Sequence, residues 1–95
     1  MRRPLIAGNW KMNCGPAETA SLLEGLKNQL QEVPRTVDVL VCPPSISLTT
    51  ASSVLDGYNN VNLGAQNVHF EDNGAYTGEV STQMLAEAGC SHVII

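Results

Sequence analysis

Along the segment Ala7-Gly8-Asn9-Trp10-Lys11-Met12-Asn13, one ammonium stands between two carboxamides and is flanked by the apolar Trp10 and Met12. An ammonium brings three donors, and each amide both donates and accepts, so the set could hold an anion. The apolar pair Leu5-Ile6 precedes the segment and a Gly15-Pro16 break follows it. It therefore reads as the end of a first strand emptying into a loop. Taken alone, a lysine in that setting is more often a solvated loop residue and an asparagine a turn former. Trp10 reads as packing rather than as a stacking platform.

The other residues with chemical potential read more plainly. His69 belongs to a long polar stretch and reads as structural or solvated. Glu71, Asp72 and Glu79 in the same stretch read as solvated or loop-ordering, since no neighbour in sequence would raise a carboxyl pKa. Cys90-x-His92 lacks further metal ligands, and Cys14, Cys42 and Cys90 form no C-x-x-C pair, so neither a zinc site nor a disulfide framework is expected.

Composition narrows the partners. The 95 residues are 43% hydrophobic and 15% charged, which suits one small globular domain in water. Five basic residues against nine acidic ones leave no basic face for nucleic acid. Arg2-Arg3 is followed by Pro4 and an apolar run that stops at Gly8-Asn9, too short for a secretion signal, and no stretch approaches a membrane-spanning length. A cytoplasmic protein with no membrane contact is expected.

The elements that would carry the Asn9–Lys11 segment follow from periodicity and punctuation. Leu5 to Asn9 makes a first strand, opened by Pro4. Pro16 sits at the first position of a helix that carries Leu22, Leu23, Leu26 and Leu30 on one face and ends at Val33-Pro34. Val37 to Cys42 is β-branched and apolar, a strand covered on both faces, and Pro43-Pro44 stops it. A second helix spans roughly Ile46 to Leu55, with Leu48, Ala51 and Leu55 inward and Gly57 as a left-handed cap. An Asn59-Asn60 turn precedes a third strand, Val61 to Gln66, in which Gly64 permits close approach. The polar stretch Asn67 to Val80 follows, with Asn73-Gly74 able to turn at its tip. Ser81 caps a short helix closed by Gly89, and a fourth strand begins at His92, which places that imidazole away from the chemistry. Strand and helix alternate throughout, as in a parallel sheet with right-handed crossovers. Asn9 and Lys11, Pro43 and Pro44, and Gln66 and Asn67 then all fall just past carboxyl ends of strands, the edge where such folds bind ligands. A nucleotide-binding sheet is the rival fold, but no G-x-G-x-x-G or phosphate loop follows the first strand.

Four motifs occur in order: A-G-N-W-K-M-N at 7 to 13, V-C-P-P at 41 to 44, L-G-A-Q-N at 63 to 67 and G-A-Y-T-G-E-V-S at 74 to 81. Together they resemble the triosephosphate isomerase family, over Leu5 to Ile95. The resemblance implies an eight-unit (β/α) barrel of about 250 residues, of which residues 1–95 would be the amino-terminal part of a single domain, roughly its first three and a half β/α units. It implies interconversion of dihydroxyacetone phosphate and glyceraldehyde 3-phosphate with no metal or organic cofactor. Lys11 would be the catalytic lysine that attracts the substrate phosphate and offsets charge on the enediolate, and Asn9 its substrate-binding neighbour. Thr77, in a loop that inserts into the other subunit of a homodimer, and Cys14 would lie at the dimer interface. The family's histidine, in a G-H-S-E motif after the fourth strand, and its later glutamate base fall outside these 95 residues. The segment alone is accordingly expected to be inactive, weakly stable and prone to self-association. The alternative is a non-catalytic partial-barrel module with a structural or interaction role.

Overall fold

In the computed structural model, which describes residues 2–58 and 60–95, strand and helix alternate as the periodicity predicts. Strand β1 (Leu5–Asn9) leads to helix α1 (Pro16–Gln31). Strand β2 (Asp38–Cys42) leads through a 3-10 turn at Ser45–Ser47 to helix α2 (Leu48–Val54), and β3 (Val61–Ala65) leads to α3 (Thr82–Glu87) and β4 (Cys90–Val93). The four strands form one parallel sheet in the order β1-β2-β3-β4. Each crossover advances one strand in the same direction, as in a barrel wall, whereas a doubly wound sheet reverses its order at a switch point. The smallest extent of the molecule is 21 Å, the depth of a sheet and a single layer of helices.

Register makes the two faces of the sheet distinct. Val41 pairs with Leu63, and both belong with Ala65 to the core that Leu23 of α1, Leu48 and Ala51 of α2 and Leu85 of α3 complete. The opposite face carries Leu40 and Cys42, level with Ala7 and Asn9 of β1. Gly64 lies on that face too: a Cβ there would stand 2.7 Å from the Cys42 Sγ and 3.1 Å from Leu40 Cδ1. Only a glycine lets β2 and β3 keep those side chains between them.

Helix α1 illustrates how sequence periodicity blurs. Pro16 does occupy the first turn, with Glu18 beside it at the positive end of the helix dipole. The inward line, however, is Thr19 and Leu23, both fully buried, and Leu22 is 42% exposed rather than part of the stripe. Thr19 replaces an apolar residue because its hydroxyl donates to the Cys14 carbonyl. Helix α2 and its C-cap residue bury Leu48, Ala51 and Leu55 as predicted, while Ile46 belongs to the 3-10 turn and is exposed. Gly57 has a φ of +86°, the left-handed cap expected there. Of the predicted Asn59-Asn60 turn, Asn59 lies outside the described residues.

Two further expectations are corrected. Strand β4 begins at Cys90, not at His92, because Gly89, with a φ of +102°, turns the chain straight out of α3 so that Cys90 pairs with Leu63. After a register shift His92 lies opposite Gly64, inside the strand. The tip of the long loop also differs: residues 70–75 bend without a hydrogen-bonded turn at Asn73-Gly74, and the closed turn is at Thr77-Gly78, where the Glu79 amide donates to the Tyr76 carbonyl. Ser81 caps α3 as expected, its hydroxyl accepting from the Met84 amide.

All three cysteines are free, and Cys42 is fully buried. Burial pushes the Cys42 thiol pKa up, and burial followed by proximity to Cys42 does the same for Cys90. A thiol whose pKa is higher folded than unfolded stabilises the fold below the unfolded pKa. That contribution is lost as pH rises past the ordinary value of 9.0. Iodoacetamide at pH 8 is therefore expected to spare Cys42 until the protein unfolds, and midpoints of urea unfolding should fall between pH 8 and pH 10. Labelling of Cys42 at the rate of a free thiol in the folded protein would contradict its burial.

Candidate active site at the carboxyl edge of the sheet

Strand β1 hands the chain to the loop at Asn9, whose backbone lies level with Cys42. The next amide, of Trp10, donates to the Cys42 carbonyl at 3.1 Å and extends the pairing by one residue. Trp10 itself packs half-buried against the core, as its composition suggests. At Lys11 the backbone then turns left-handed, with φ +56°, a conformation that costs a residue with a Cβ about 1 kcal/mol or more. The cost is offset locally. The Asn9 Oδ1 accepts the Lys11 amide at 3.0 Å, and the Gln66 Nε2, from just past β3, donates to the Lys11 carbonyl at 2.8 Å. Asn13 closes the loop by donating from Nδ2 to the Trp10 carbonyl at 2.8 Å.

Lys11 lines an open recess of about 210 Å³ together with Pro44, Gln66, Asn67, Gly78 and Val80. The recess thus draws on the carboxyl ends of β1, β2 and β3, the edge singled out from sequence. Among the described residues no carboxylate pairs with the Lys11 ammonium. An exposed lysine without a carboxylate partner among the described residues, on a residue that lines this recess, is suited to an anionic ligand such as a phosphate. No group of three or more His, Cys, Asp or Glu side chains is arranged to hold a metal ion among the described residues.

A sequence model of the triosephosphate isomerase family matches residues 4–95 of the chain. This chain belongs to the triosephosphate isomerase family. It is 54% identical over its full length to the triosephosphate isomerase of Herpetosiphon aurantiacus and 48% identical to that of Trichodesmium erythraeum, covering 37% and 39% of those proteins. The crystal structure of triosephosphate isomerase from Bartonella henselae superposes on 99% of the chain with a TM-score of 0.85 at 46% identity, and the match takes in 38% of that chain. The chain therefore spans a little over a third of the length of the family members it matches, and its fold corresponds to that part of the Bartonella henselae structure.

Of the residues singled out from sequence, Lys11 lines the recess and Asn9 is joined to it through the Lys11 amide, while Asn9, Cys14 and Thr77 are not among the lining residues. Cys14 has a φ of +74°, and its carbonyl accepts from the Ser47 hydroxyl at 2.8 Å and from Thr19 at 3.3 Å, so it ties the first loop to α1 and to the turn before α2. Thr77 is exposed at the tip of the long loop, next to Gly78, which does reach the recess. His69 organises that loop. Its ring packs at a tilt of 39° against Tyr76 with 4.2 Å between centroids, its Nδ1 lies 3.6 Å from Glu79 Oε1, and its amide donates to the Val80 carbonyl at 2.8 Å. Two contributors were not legible in the sequence as more than neighbours: Gln66, which reaches the Lys11 backbone, and the left-handed backbone of Lys11 itself. The small Gly64-Ala65 pair before Gln66 was the one available signal that something approaches closely there.

Proposed function

We propose that this chain forms part of a triosephosphate isomerase, in which Asn9 and Lys11 bind a phosphorylated triose and the completed barrel interconverts dihydroxyacetone phosphate and glyceraldehyde 3-phosphate. The observation that carries this reading is Lys11 itself, a recess-lining residue whose exposed ammonium has no carboxylate partner among the described residues and whose left-handed backbone Asn9 and Gln66 both hold.

In this family, long cited for its tuned acid and base, a glutamate takes a proton from the carbon beside the carbonyl and a neutral histidine polarises the carbonyl oxygen. A proton returned to the adjacent carbon completes the isomerisation. Both groups would come from the rest of the barrel. Lys11 would neutralise part of the phosphate charge during binding and part of the enediolate charge as it develops. A fixed cation stabilises developing charge without reorganising at the moment of reaction. No metal or organic cofactor enters this scheme. The exposed loop at Thr77, with Cys14, would meet the partner subunit of a homodimer, and a soluble triose phosphate is a substrate for a cytoplasmic enzyme.

The test joins residues 1–95 to the remaining barrel units of the Herpetosiphon aurantiacus relative and follows the conversion of dihydroxyacetone phosphate in a coupled assay. Turnover is the expected result. A folded, monodisperse chimera with no isomerase activity would overturn the proposal and favour a non-catalytic module.

A further inference from the structure

Gln66 is the first residue after β3, yet its side chain works at the ends of two other strands. Its Nε2 donates to the Lys11 carbonyl at 2.8 Å and to the Cys42 carbonyl at 2.7 Å. A carboxamide nitrogen has two hydrogens, and here both are used, one on the loop after β1 and one on the last residue of β2. The Cys42 carbonyl accepts a second bond from the Trp10 amide, the residue just before Lys11. The left-handed turn at Lys11 is thus fastened on both sides: its amide to Asn9 Oδ1 and its carbonyl to Gln66.

We infer that Gln66 is a positioning residue for Lys11, holding the lysine backbone in the left-handed conformation that presents the ammonium to the recess. The inference rests on the reading of Lys11 as the anion-binding residue. Without a donor at position 66 the Lys11 carbonyl loses its partner. An ordinary right-handed or extended backbone is then preferred for a residue with a Cβ, and the ammonium leaves the recess. In this scheme both Nε2 hydrogens of Gln66 are taken up by the Lys11 and Cys42 carbonyls, and its influence on the ligand runs through the Lys11 peptide. Asn9 cannot substitute for it, because its side chain already holds the amide on the other side of the same residue.

The test uses the barrel completed with the Herpetosiphon aurantiacus units, carrying Gln66→Met or Gln66→Glu. Both replacements match glutamine in length, and neither can donate to two carbonyls at neutral pH. Two readouts are taken. The first is the amide-to-Hα NOE within Lys11, strong when φ is positive. The second is competitive inhibition by inorganic phosphate, with kcat/KM for dihydroxyacetone phosphate beside it. In the parent the NOE is expected to be strong. In both variants it should weaken, while phosphate inhibition weakens about tenfold and kcat/KM falls by about the same factor, the scale of one lost hydrogen bond to a group that needs it. Two folded variants with an unchanged NOE at Lys11, or with phosphate inhibition within about twofold of the parent, would overturn the inference. So would failure of both variants to fold beside a folded parent, since Gln66 would then serve the sheet as a whole. A parent that neither binds phosphate nor turns over substrate overturns the proposed function. The NOE comparison still decides whether Gln66 sets the Lys11 backbone.

Discussion

Lys11→Ala in the completed barrel is expected to lower kcat/KM for dihydroxyacetone phosphate by about two to three orders of magnitude, the usual effect of removing one group that faces developing negative charge. Stability should hardly change. The ammonium is exposed and unpaired among the described residues, so its removal breaks no internal contact of the fold. Alanine keeps the Cβ and the peptide, so the bonds from Asn9 and Gln66 to the Lys11 backbone can persist. The variant therefore separates charge from architecture, and competition by inorganic phosphate should weaken in parallel. A variant with parental kcat/KM would remove Lys11 from the chemistry. One that lost activity together with its melting transition would mean that the lysine is structural.

The largest expected loss of stability follows Leu23→Ala. Leu23 is fully buried where α1 meets the sheet, in one core with Val41, Leu48, Ala51 and Leu63. Truncation removes three carbons from a site enclosed by three elements that cannot all move in to refill it. The cost should be about 3 kcal/mol, within the range for buried leucines. The effect would be read as a lower urea midpoint at unchanged slope in the completed barrel. Leu22→Ala, one residue earlier and 42% exposed, should cost less than about 1 kcal/mol. Equal losses at the two positions would mean that α1 is rotated from the orientation described.

The contrast between Leu22 and Leu23 shows where periodicity stops. Adjacent residues on a helix differ by about 100°, so a broad leucine stripe does not say which edge of it faces the sheet. That choice was made by Thr19, a polar residue made inward-facing by its bond to the Cys14 carbonyl. The fourth strand tells the same story. His92 looked like its beginning because the apolar run starts there, yet Gly89 had already turned the chain and Cys90 pairs first.

The family, the alternation of strand and helix and the placing of Asn9 at the end of β1 and of Lys11, Gln66 and Asn67 just past strand ends were all determined by the sequence alone. Local propensity and four ordered motifs suffice for that, because strand ends and turns are signalled by the residues that occupy them. Only the tertiary structure decided that Lys11 adopts a left-handed backbone, that Gln66 reaches across to hold it, and that Cys14 and Thr77 stand apart from the recess. The physical reason is distance along the chain. The Gln66 to Lys11 bond joins residues 55 apart, and a contact of that range depends on the register of three strands, which local preferences do not encode.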